Sequence, residues 1–219
     1  MQEFKRARSV EQKNQRMADI KKATADLFRE NPYHEITLTT IAERLGWSRA
    51  NLYKYVTTKE EIFLDLAADA RDEYFEALLG AFPKKACTDL EALTKEWAHI
   101  ADKNRDWAVY GTILMTIIEA NVTIERLKVF KKGYYDWLPT LSEHFSCVLG
   151  IKEESFPTLL NTIHNQAVGL AGNCANNPLV AEAIKQLNIK RTPVNFQEDM
   201  ADFIYMCVNH WKEKAGLDA

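Results

Sequence analysis

Residues 36–63 read ITLTTIAERLGWSRANLYKYVTTKEEIF, and this stretch decides the fold that the sequence predicts. Thr37 and Ser48 carry side-chain oxygens that can accept a backbone N–H, so each is typical of a helix N-terminus. Gly46 stands between them, where a left-handed backbone ends a helix at little cost. We therefore predict a short helix from Thr37 to Gly46, a second from Ser48, and a longer one from Thr58.

The apolar and small residues of this stretch have the spacing of a helix-turn-helix. Ala42 is small enough for two helices to cross closely, Gly46 follows four residues later, and Leu52 lies six further on. Ile41, Leu45 and Leu52 are spaced to fill the core between the two helices. A helix-turn-helix places its second helix in the major groove of DNA. The pattern therefore predicts a DNA-binding module.

Charge is distributed unevenly along the chain, although the net charge is −3. Residues 1–60 contain 12 Lys and Arg against 8 Asp and Glu, whereas residues 61–219 contain 16 against 23. A basic N-terminal part on an acidic remainder suits a protein that presents one end to phosphates, with ordinary surface charge as the alternative. Residues 1–10 (MQEFKRARSV) predict a flexible basic arm that either reaches DNA or stays solvated.

Helical spacing of apolar residues continues to the end of the chain, so we predict an all-α fold of about nine helices. The 47% of hydrophobic residues supply a core, and only 8 Gly and 6 Pro argue against a turn-rich β fold. The run 107–119 is apolar nearly all round and predicts a buried helix. Pro139 lies in the apolar stripe 124–148 and is expected to kink or split that helix. Capping boxes are expected at three sites, Thr58-x-x-Glu61, Thr88-x-x-Glu91 and Asn195-x-x-Glu198.

Several other classes of protein are disfavoured. The four cysteines (87, 147, 174 and 207) are scattered, so we expect buried free thiols rather than disulfides or a metal site. No signal peptide or membrane span is predicted, which favours a cytoplasmic protein. The motifs of hydrolases, nucleotide-binding proteins and zinc proteases do not occur, so no enzyme and no cofactor is expected.

The segment resembles the DNA-binding domain of the TetR family of transcription regulators. The matching residues are Ile41-Ala42, Gly46-Trp47-Ser48, the run 52–56 (LYKYV) and Lys59-Glu60-Glu61. The resemblance covers roughly residues 13–65, and the rest of the chain agrees in being helical and of suitable length. Two residues depart from the family pattern, Val56 for an aromatic residue and Trp47 for a small aliphatic one. Both sites pack in the family, so compensated core changes are expected.

The resemblance implies which residues contact DNA. Base reading is assigned to Arg49, Ala50 and Asn51, because Arg pairs with guanine and Asn with adenine. Trp47 packs in the core or lies against the DNA backbone, and Tyr53 contacts DNA or packs. The candidate contacts together are Thr37, Trp47, Arg49, Ala50, Asn51, Tyr53, Lys54, Tyr55 and Lys59.

Positioning on the DNA backbone is assigned by the same resemblance to Thr37, Tyr53, Tyr55 and Lys59. Lys59 is the most informative, because it stands in the first turn of a helix. A cation there opposes the helix dipole, and a fold-only account would place an acid at this position. Its placement therefore favours a phosphate contact.

The larger body is expected to form a homodimer and to bind a ligand, as TetR-like proteins do. We predict a DNA-binding domain over residues 1–57 and a ligand-binding and dimerisation domain over 58–219. The dimer would form through the helices Phe156–Cys174 and 196–214, unless their apolar stripes face their own core. The first carries the small residues Ala167, Gly169, Ala171, Gly172 and Ala175, and the second carries Phe203, Ile204, Cys207 and Trp211.

A small hydrophobic or aromatic inducer is the expected ligand. Its candidate site residues are Trp97, Trp107, Tyr110, Met115, Glu119, Phe130, Tyr134, Trp137 and His164. Glu119 is the most suggestive, because an unpaired buried carboxylate would be costly unless the helix emerges into water there. The resulting hypothesis is a dimeric repressor that binds a double-stranded DNA operator and is released from it by an inducer. The alternatives are a DNA-binding dimer with no inducer pocket, a protein interaction module, and a helical enzyme.

Overall fold

A computed structural model describes residues 2–174, 178–190 and 193–217, with the side chains of residues 11–173, 179–190 and 193–216. These ranges form ten α-helices and no strand, which confirms the all-α prediction. The helices are α1 (Gln2–Glu30), α2 (Leu38–Leu45), α3 (Arg49–Leu52), α4 (Lys59–Ala81), α5 (Leu90–Lys103), α6 (Asp106–Ile113), α7 (Ile124–Leu149), α8 (Phe156–Cys174), α9 (Pro178–Gln186) and α10 (Phe196–Leu217). Within these ranges no helix is long and apolar enough to cross a membrane.

The chain divides into two compact units. The first contains Met1–Asp69 and Ile113–Lys131, and the second contains Ala70–Thr112 and Lys132–Ala219. The division falls within α4 and adds the segment that leads into α7 to the N-terminal unit. The domain boundary at residue 57 therefore stays a prediction.

The first unit has its core between α1, α2, α3 and the start of α4. Ile20, Ile36, Ile41, Leu52 and Ile62 are 1% exposed or less. α1 packs against α2, and α2 packs against α3. Apart from Ile36, which lies between two helices, these are the apolar positions that helical spacing picks out, because a helix buries the residues that recur on one face.

The N-terminal segment corrects one prediction. α1 begins at Gln2, so the residues expected to form a flexible arm belong to a helix of 29 residues. Residues 2–30 contain no Gly and no Pro, so no residue in them ends a helix. The basic residues of this segment, Lys5, Arg6 and Arg8, which were expected either to reach DNA or to stay solvated, have side chains outside the described residues.

Two helical predictions in the second half of the chain need correction. The run 107–119 is not one buried helix, because α6 ends at Ile113 and a π-helical turn (Leu114–Ile118) and a 3-10 turn (Glu119–Asn121) follow. α7 continues through Pro139, so the helix is not split there, and the alternative of a kink stays a prediction.

The predicted caps have mixed outcomes. Thr58 Oγ1 accepts from the N–H of Glu61 at 3.3 Å, and Asn195 Oδ1 accepts from the N–H of Glu198 at the same distance, so the N-cap bond of each predicted box is present. The reciprocal bond at Thr58 is replaced by one from the N–H of Thr57 to the Glu61 carboxylate at 2.9 Å. α5 is instead capped by Asp89, which accepts from the N–H of Ala92, so the prediction of a cap at Thr88 is wrong.

The second unit has an aromatic core. Trp97, Phe145 and Phe156 are fully buried, with ring centroids 5.0 Å apart between Trp97 and Phe145 and 5.1 Å apart between Phe145 and Phe156. α10 packs against α5 and α8 around this core. The cysteines with described side chains are free thiols, but they are half-buried or, at Cys147, exposed, so the expectation of buried thiols is wrong. The side chain of Cys174 lies outside the described residues.

Candidate nucleic-acid interface

Local hydrogen bonds fix both ends of α2. Thr37 accepts from the N–H of Thr40 at 3.1 Å, and Thr40 Oγ1 accepts from the N–H of Thr37 at 3.0 Å, which completes a capping box. At the other end Gly46 has φ +66°, and the N–H of Trp47 donates to Ala42 O at 2.8 Å. This backward bond is the Schellman closure, and it requires the left-handed residue that glycine supplies. The predicted start and stop of α2 are confirmed.

α3 begins directly after this turn and is only four residues long. Ser48 caps it, since its Oγ accepts from the N–H of Asn51 at 3.2 Å. Leu52 is fully buried, whereas Arg49 and Ala50 are exposed. The helix therefore has one inner anchor and an outer face of polar and small side chains, as a recognition helix needs.

The core beneath α2 and α3 agrees with the helix-turn-helix prediction in most positions. Ile41, Ala42 and Leu52 are buried, and Val56 is only 3% exposed, so Val56 packs as expected. Leu45 is half-buried rather than central to the core. The crossing of α2 and α3 thus depends on one small residue and three aliphatic ones.

Trp47 packs on the protein itself. Its ring lies 5.8 Å from that of Tyr55, and the guanidinium of Arg16 lies 5.0 Å above it. A cation over an indole face is attracted by the ring quadrupole. These contacts support core packing for Trp47 and bring Arg16 of α1 next to the turn. Sequence reasoning missed Arg16, because nothing local marks a residue 31 positions before its ring partner.

The Lys59 side chain contacts the segment between α1 and α2. Its Nζ donates to Tyr33 O at 2.9 Å and to Ile36 O at 2.7 Å, and it lies 3.8 Å from the centroid of the Tyr33 ring. Partial burial lowers the pKa of Lys59 below its ordinary value. The ammonium group is engaged by the backbone of its own unit, and the phosphate contact of Lys59 stays a prediction.

The remaining candidate contacts share one region of the first unit. Tyr53 is 48% exposed and Lys54 is exposed, while Asn51 and Tyr55 are half-buried. Thr37 is exposed with its hydroxyl in the cap of α2. Arg49, Ala50, Tyr53 and Lys54 therefore form the freely accessible part of the predicted interface.

Six of the nine predicted ligand residues lie in the second unit; Tyr110 is 5% exposed, and two residues of α4 join the other five into two groups. Tyr74 is stacked on Trp107 at 4.0 Å and accepts a hydrogen bond from Trp97 Nε1 at 2.7 Å. Phe75 lies 6.4 Å from Tyr134 and 6.0 Å from Trp137. Sequence reasoning did not connect Tyr74 with the ligand residues.

His164 belongs to the first of these groups and lies in a tightly packed place. Its ring centroid is 4.5 Å from that of Trp107, and its Nδ1 is buried without a hydrogen-bond partner. Burial lowers the pKa of His164 to about 4, so the imidazole is neutral at pH 7. A Cβ on Gly111 would stand 2.4 Å from Val168 and 3.3 Å from the imidazole, so α6 and α8 approach this closely only because residue 111 is glycine.

The other three predicted ligand residues, Met115, Glu119 and Phe130, lie in the first unit. Met115 is 62% exposed, so it does not line the interior of that unit. Glu119 accepts a hydrogen bond from Lys131 at 2.6 Å and is therefore paired rather than isolated. Two open cavities of the second unit, of about 290 Å³ near Cys87 and about 540 Å³ near Asn195, are lined by none of the nine.

The helices predicted to form a dimer have both inward and outward positions. Ala167 and Ala171 of α8 face their own core, whereas Gly169 and Gly172 are exposed. On α10, Ile204 is buried, and Phe203, Cys207 and Trp211 are half-buried. Tyr205 and Met206 of the same helix are 43% and 60% exposed. Ala175 lies outside the described residues.

Family comparisons match nearly the whole chain. Residues 20–66 match the profile of bacterial regulatory proteins of the tetR family, and residues 68–209 match that of the tetracyclin repressor-like C-terminal domain. The second match alone spans more than half of the 219 residues.

One solved structure agrees with these matches in fold. A transcriptional regulator of the TetR/AcrR family from Thermobifida fusca YX-ER1 is 18% identical, with a TM-score of 0.53 over 90% of this chain and 98% of that one. A TetR family transcriptional regulator from Chloroflexus aurantiacus J-10-FL is 20% identical over 93% of each chain, with a TM-score of 0.44. A comparison with curated proteins gives no match.

Proposed function

The chain belongs to the TetR family of transcription regulators, and from this premise we propose that it is a dimeric repressor that a small molecule releases from its operator. Membership in the family makes the chain a DNA-binding regulator rather than an enzyme. The observation that carries the proposal further is the accessible surface of α3 and of the two residues after it, where Arg49, Ala50, Tyr53 and Lys54 are exposed and Leu52 is buried. This is the arrangement that major-groove reading requires.

Dimerisation is proposed because the surface that one copy of α3 presents to DNA is small. A four-residue α3 offers one short row of side chains, which covers too little DNA for tight specific binding. Two copies related by a two-fold axis would read two half-sites. The exposed Gly169, Gly172, Tyr205 and Met206 on α8 and α10 support these helices as the contact, because small residues let helices approach and apolar ones gain by burial.

The inducer is proposed to bind among the aromatic residues of the second unit. Trp107, Tyr134, Trp137 and His164 combine apolar surface with few polar groups, as ligand sites do. A ligand there would act by population shift, and its effect is limited by its differential affinity for the two states. α4 runs from Lys59 at the DNA-binding end to Ala81, so it is the natural element to carry the effect.

One observation favours the alternative of a DNA-binding dimer without an inducer. Trp97 is fully buried and Trp107 is 6% exposed, and both are engaged by Tyr74. Aromatic residues that already pack against one another and are paired in hydrogen bonds need no ligand to fill the space between them. A thermal-shift screen with metabolites and drug-like aromatic compounds separates the two. Stabilisation by a compound that also releases DNA supports the repressor with an inducer. A screen in which no compound raises the melting temperature supports the alternative.

Selection of bound fragments from genomic DNA is the experiment that tests DNA recognition. We expect enrichment of a palindromic sequence bound by two protomers. On that sequence Arg49→Ala should weaken binding by about 1–3 kcal/mol and relax the preference at one base pair of each half-site. Lys95→Ala is the control, since it removes an exposed charge on α5 in the second unit and should leave the preference unchanged. Equal effects of the two variants would contradict the assignment of α3.

A further inference from the structure

The start of α4 holds a residue whose charge is directed inward. Lys59 Nζ donates to the backbone oxygens of Tyr33 and Ile36 at 2.9 and 2.7 Å and lies 3.8 Å from the centroid of the Tyr33 ring. A lysine ammonium has three N–H donors and no acceptor. Two carbonyls take two of these donors, and the ammonium charge also lies against the face of the Tyr33 ring, so the group is held by its own unit.

The next residue of α4 holds the same segment from a second side. Tyr33 donates its hydroxyl to Glu60 Oε1 at 2.6 Å, and its ring meets that of Phe63 edge-on at 5.1 Å. Burial, with Glu60 second, raises the pKa of Tyr33 above its ordinary value, which agrees with a phenol held protonated against a carboxylate. Lys59 and Glu60 therefore contact Tyr33 through its carbonyl, its ring and its hydroxyl.

The segment that Lys59 and Glu60 contact connects α1 to the helix-turn-helix. The 3-10 turn Tyr33–Glu35 joins α1 to α2, and its successor Ile36 is 1% exposed. Ile36 immediately precedes Thr37, the N-cap of α2. Because the carbonyl of Ile36 is fixed by Lys59, the point at which α2 begins is fixed to the first turn of α4.

We propose that Lys59 is a positioning residue, which sets the placement of α2 and α3 from the start of α4 and makes no contact with DNA. The inference rests on the proposed DNA-binding function and deepens it. Misplacement of α3 removes contacts to base edges, which depend on ångström-scale geometry, and has less effect on the diffuse attraction of phosphates. Loss of Lys59 should therefore lower specific binding more than non-specific binding.

Salt dependence distinguishes this role from a phosphate contact. Each phosphate of B-DNA that a variant no longer neutralises reduces the slope of log affinity against log salt concentration by about 0.9. Lys59→Met keeps most of the length of the side chain and removes the donors and the charge. We expect its affinity for the selected palindrome to fall about tenfold, the scale of one misplaced base contact, with little change in affinity for random duplex DNA. The salt slope on the palindrome should stay that of the unsubstituted protein.

Tyr33→Phe is the matched second variant, because it removes the hydroxyl bond to Glu60 and changes no charge on a residue assigned to DNA. It should also lower the ratio of specific to non-specific affinity, by less than Lys59→Met. Lys54→Met is the contrasting control, since Lys54 is exposed beside α3. A phosphate contact by Lys54 would reduce the salt slope by about 0.9 and leave the ratio nearly intact.

The ratio of affinities does not depend on the fraction of folded protein, so partial unfolding of a variant does not imitate the effect. If Lys59→Met lowers the salt slope by about 0.9 and weakens both DNAs equally, Lys59 contacts a phosphate and the inference is overturned. An unchanged ratio in both Lys59→Met and Tyr33→Phe also overturns it. If the unsubstituted protein binds no duplex DNA, the proposed function fails instead.

Discussion

His164 gives the second unit a stability that should depend on pH. Its imidazole is packed against Trp107 with Nδ1 buried and unpaired, and burial lowers its pKa to about 4 from 6.5. In the unfolded chain the imidazole takes up a proton as the pH falls through about 6.5, whereas the folded protein keeps it neutral until about pH 4. The unfolded state thus binds more protons in this window, and stability must fall as the pH falls.

The size of the effect follows from the difference between the folded and unfolded pKa values. A pKa difference of one corresponds to about 1.36 kcal/mol, so His164 alone costs about 2 kcal/mol at pH 5 and about 3 kcal/mol below pH 4. Above pH 7.5 His164 does not lower the free energy of unfolding, because its imidazole is neutral in both the folded and the unfolded protein. The measurement is urea unfolding at fixed protein concentration, at pH 7.5 and pH 5.0, for the unsubstituted protein and for His164→Gln.

Comparison of the two pH dependences isolates one residue, because the other titrating groups are common to both proteins. We expect the unsubstituted protein to lose about 2 kcal/mol more than His164→Gln between these pH values. His210→Gln is the control, since His210 is exposed, and it should retain the full pH dependence. Parallel pH dependences of the unsubstituted protein and His164→Gln, within about 0.5 kcal/mol, would refute the burial of this imidazole.

Substitutions at three further positions test the geometry of the units by unfolding free energy. Gly46→Ala meets no atom within 4 Å but must keep φ +66°, so it should cost about 1–2 kcal/mol, whereas Gly80→Ala in the open surface of α4 should gain about 0.5–1 kcal/mol. A Gly46→Ala variant as stable as Gly80→Ala would contradict the left-handed turn. Tyr74→Phe leaves the buried Trp97 N–H without its acceptor and should cost about 1–3 kcal/mol, and a cost near zero would mean that this bond contributes nothing.

The helix-turn-helix could be predicted from sequence because local chemistry determines its ends. Thr37, Gly46 and Ser48 each act on backbone groups within a few residues of themselves, so the residue types suffice to place the ends of α2 and the start of α3. The same reasoning fails at Thr88 and Asp89, since both can cap a helix and only packing decides between them.

Contacts between distant residues could not be predicted. The partners of Lys59 are backbone oxygens 23 and 26 positions earlier, and a flexible side chain at a helix start can equally extend into solvent. The paired state of Glu119 and the exposure of Met115 depend in the same way on where α6 ends. Composition and spacing give the fold and the interface region, and tertiary contacts decide what each side chain does there.

The brevity of α3 has a thermal consequence. A helix of four residues has almost no tendency to form by itself, since even isolated helices of a dozen residues are marginal in water. Its order comes from Leu52 in the core and from the caps on either side. The capacity to recognise an operator should thus vanish over the same few degrees in which the first unit melts, so heat would switch regulation off cooperatively rather than gradually.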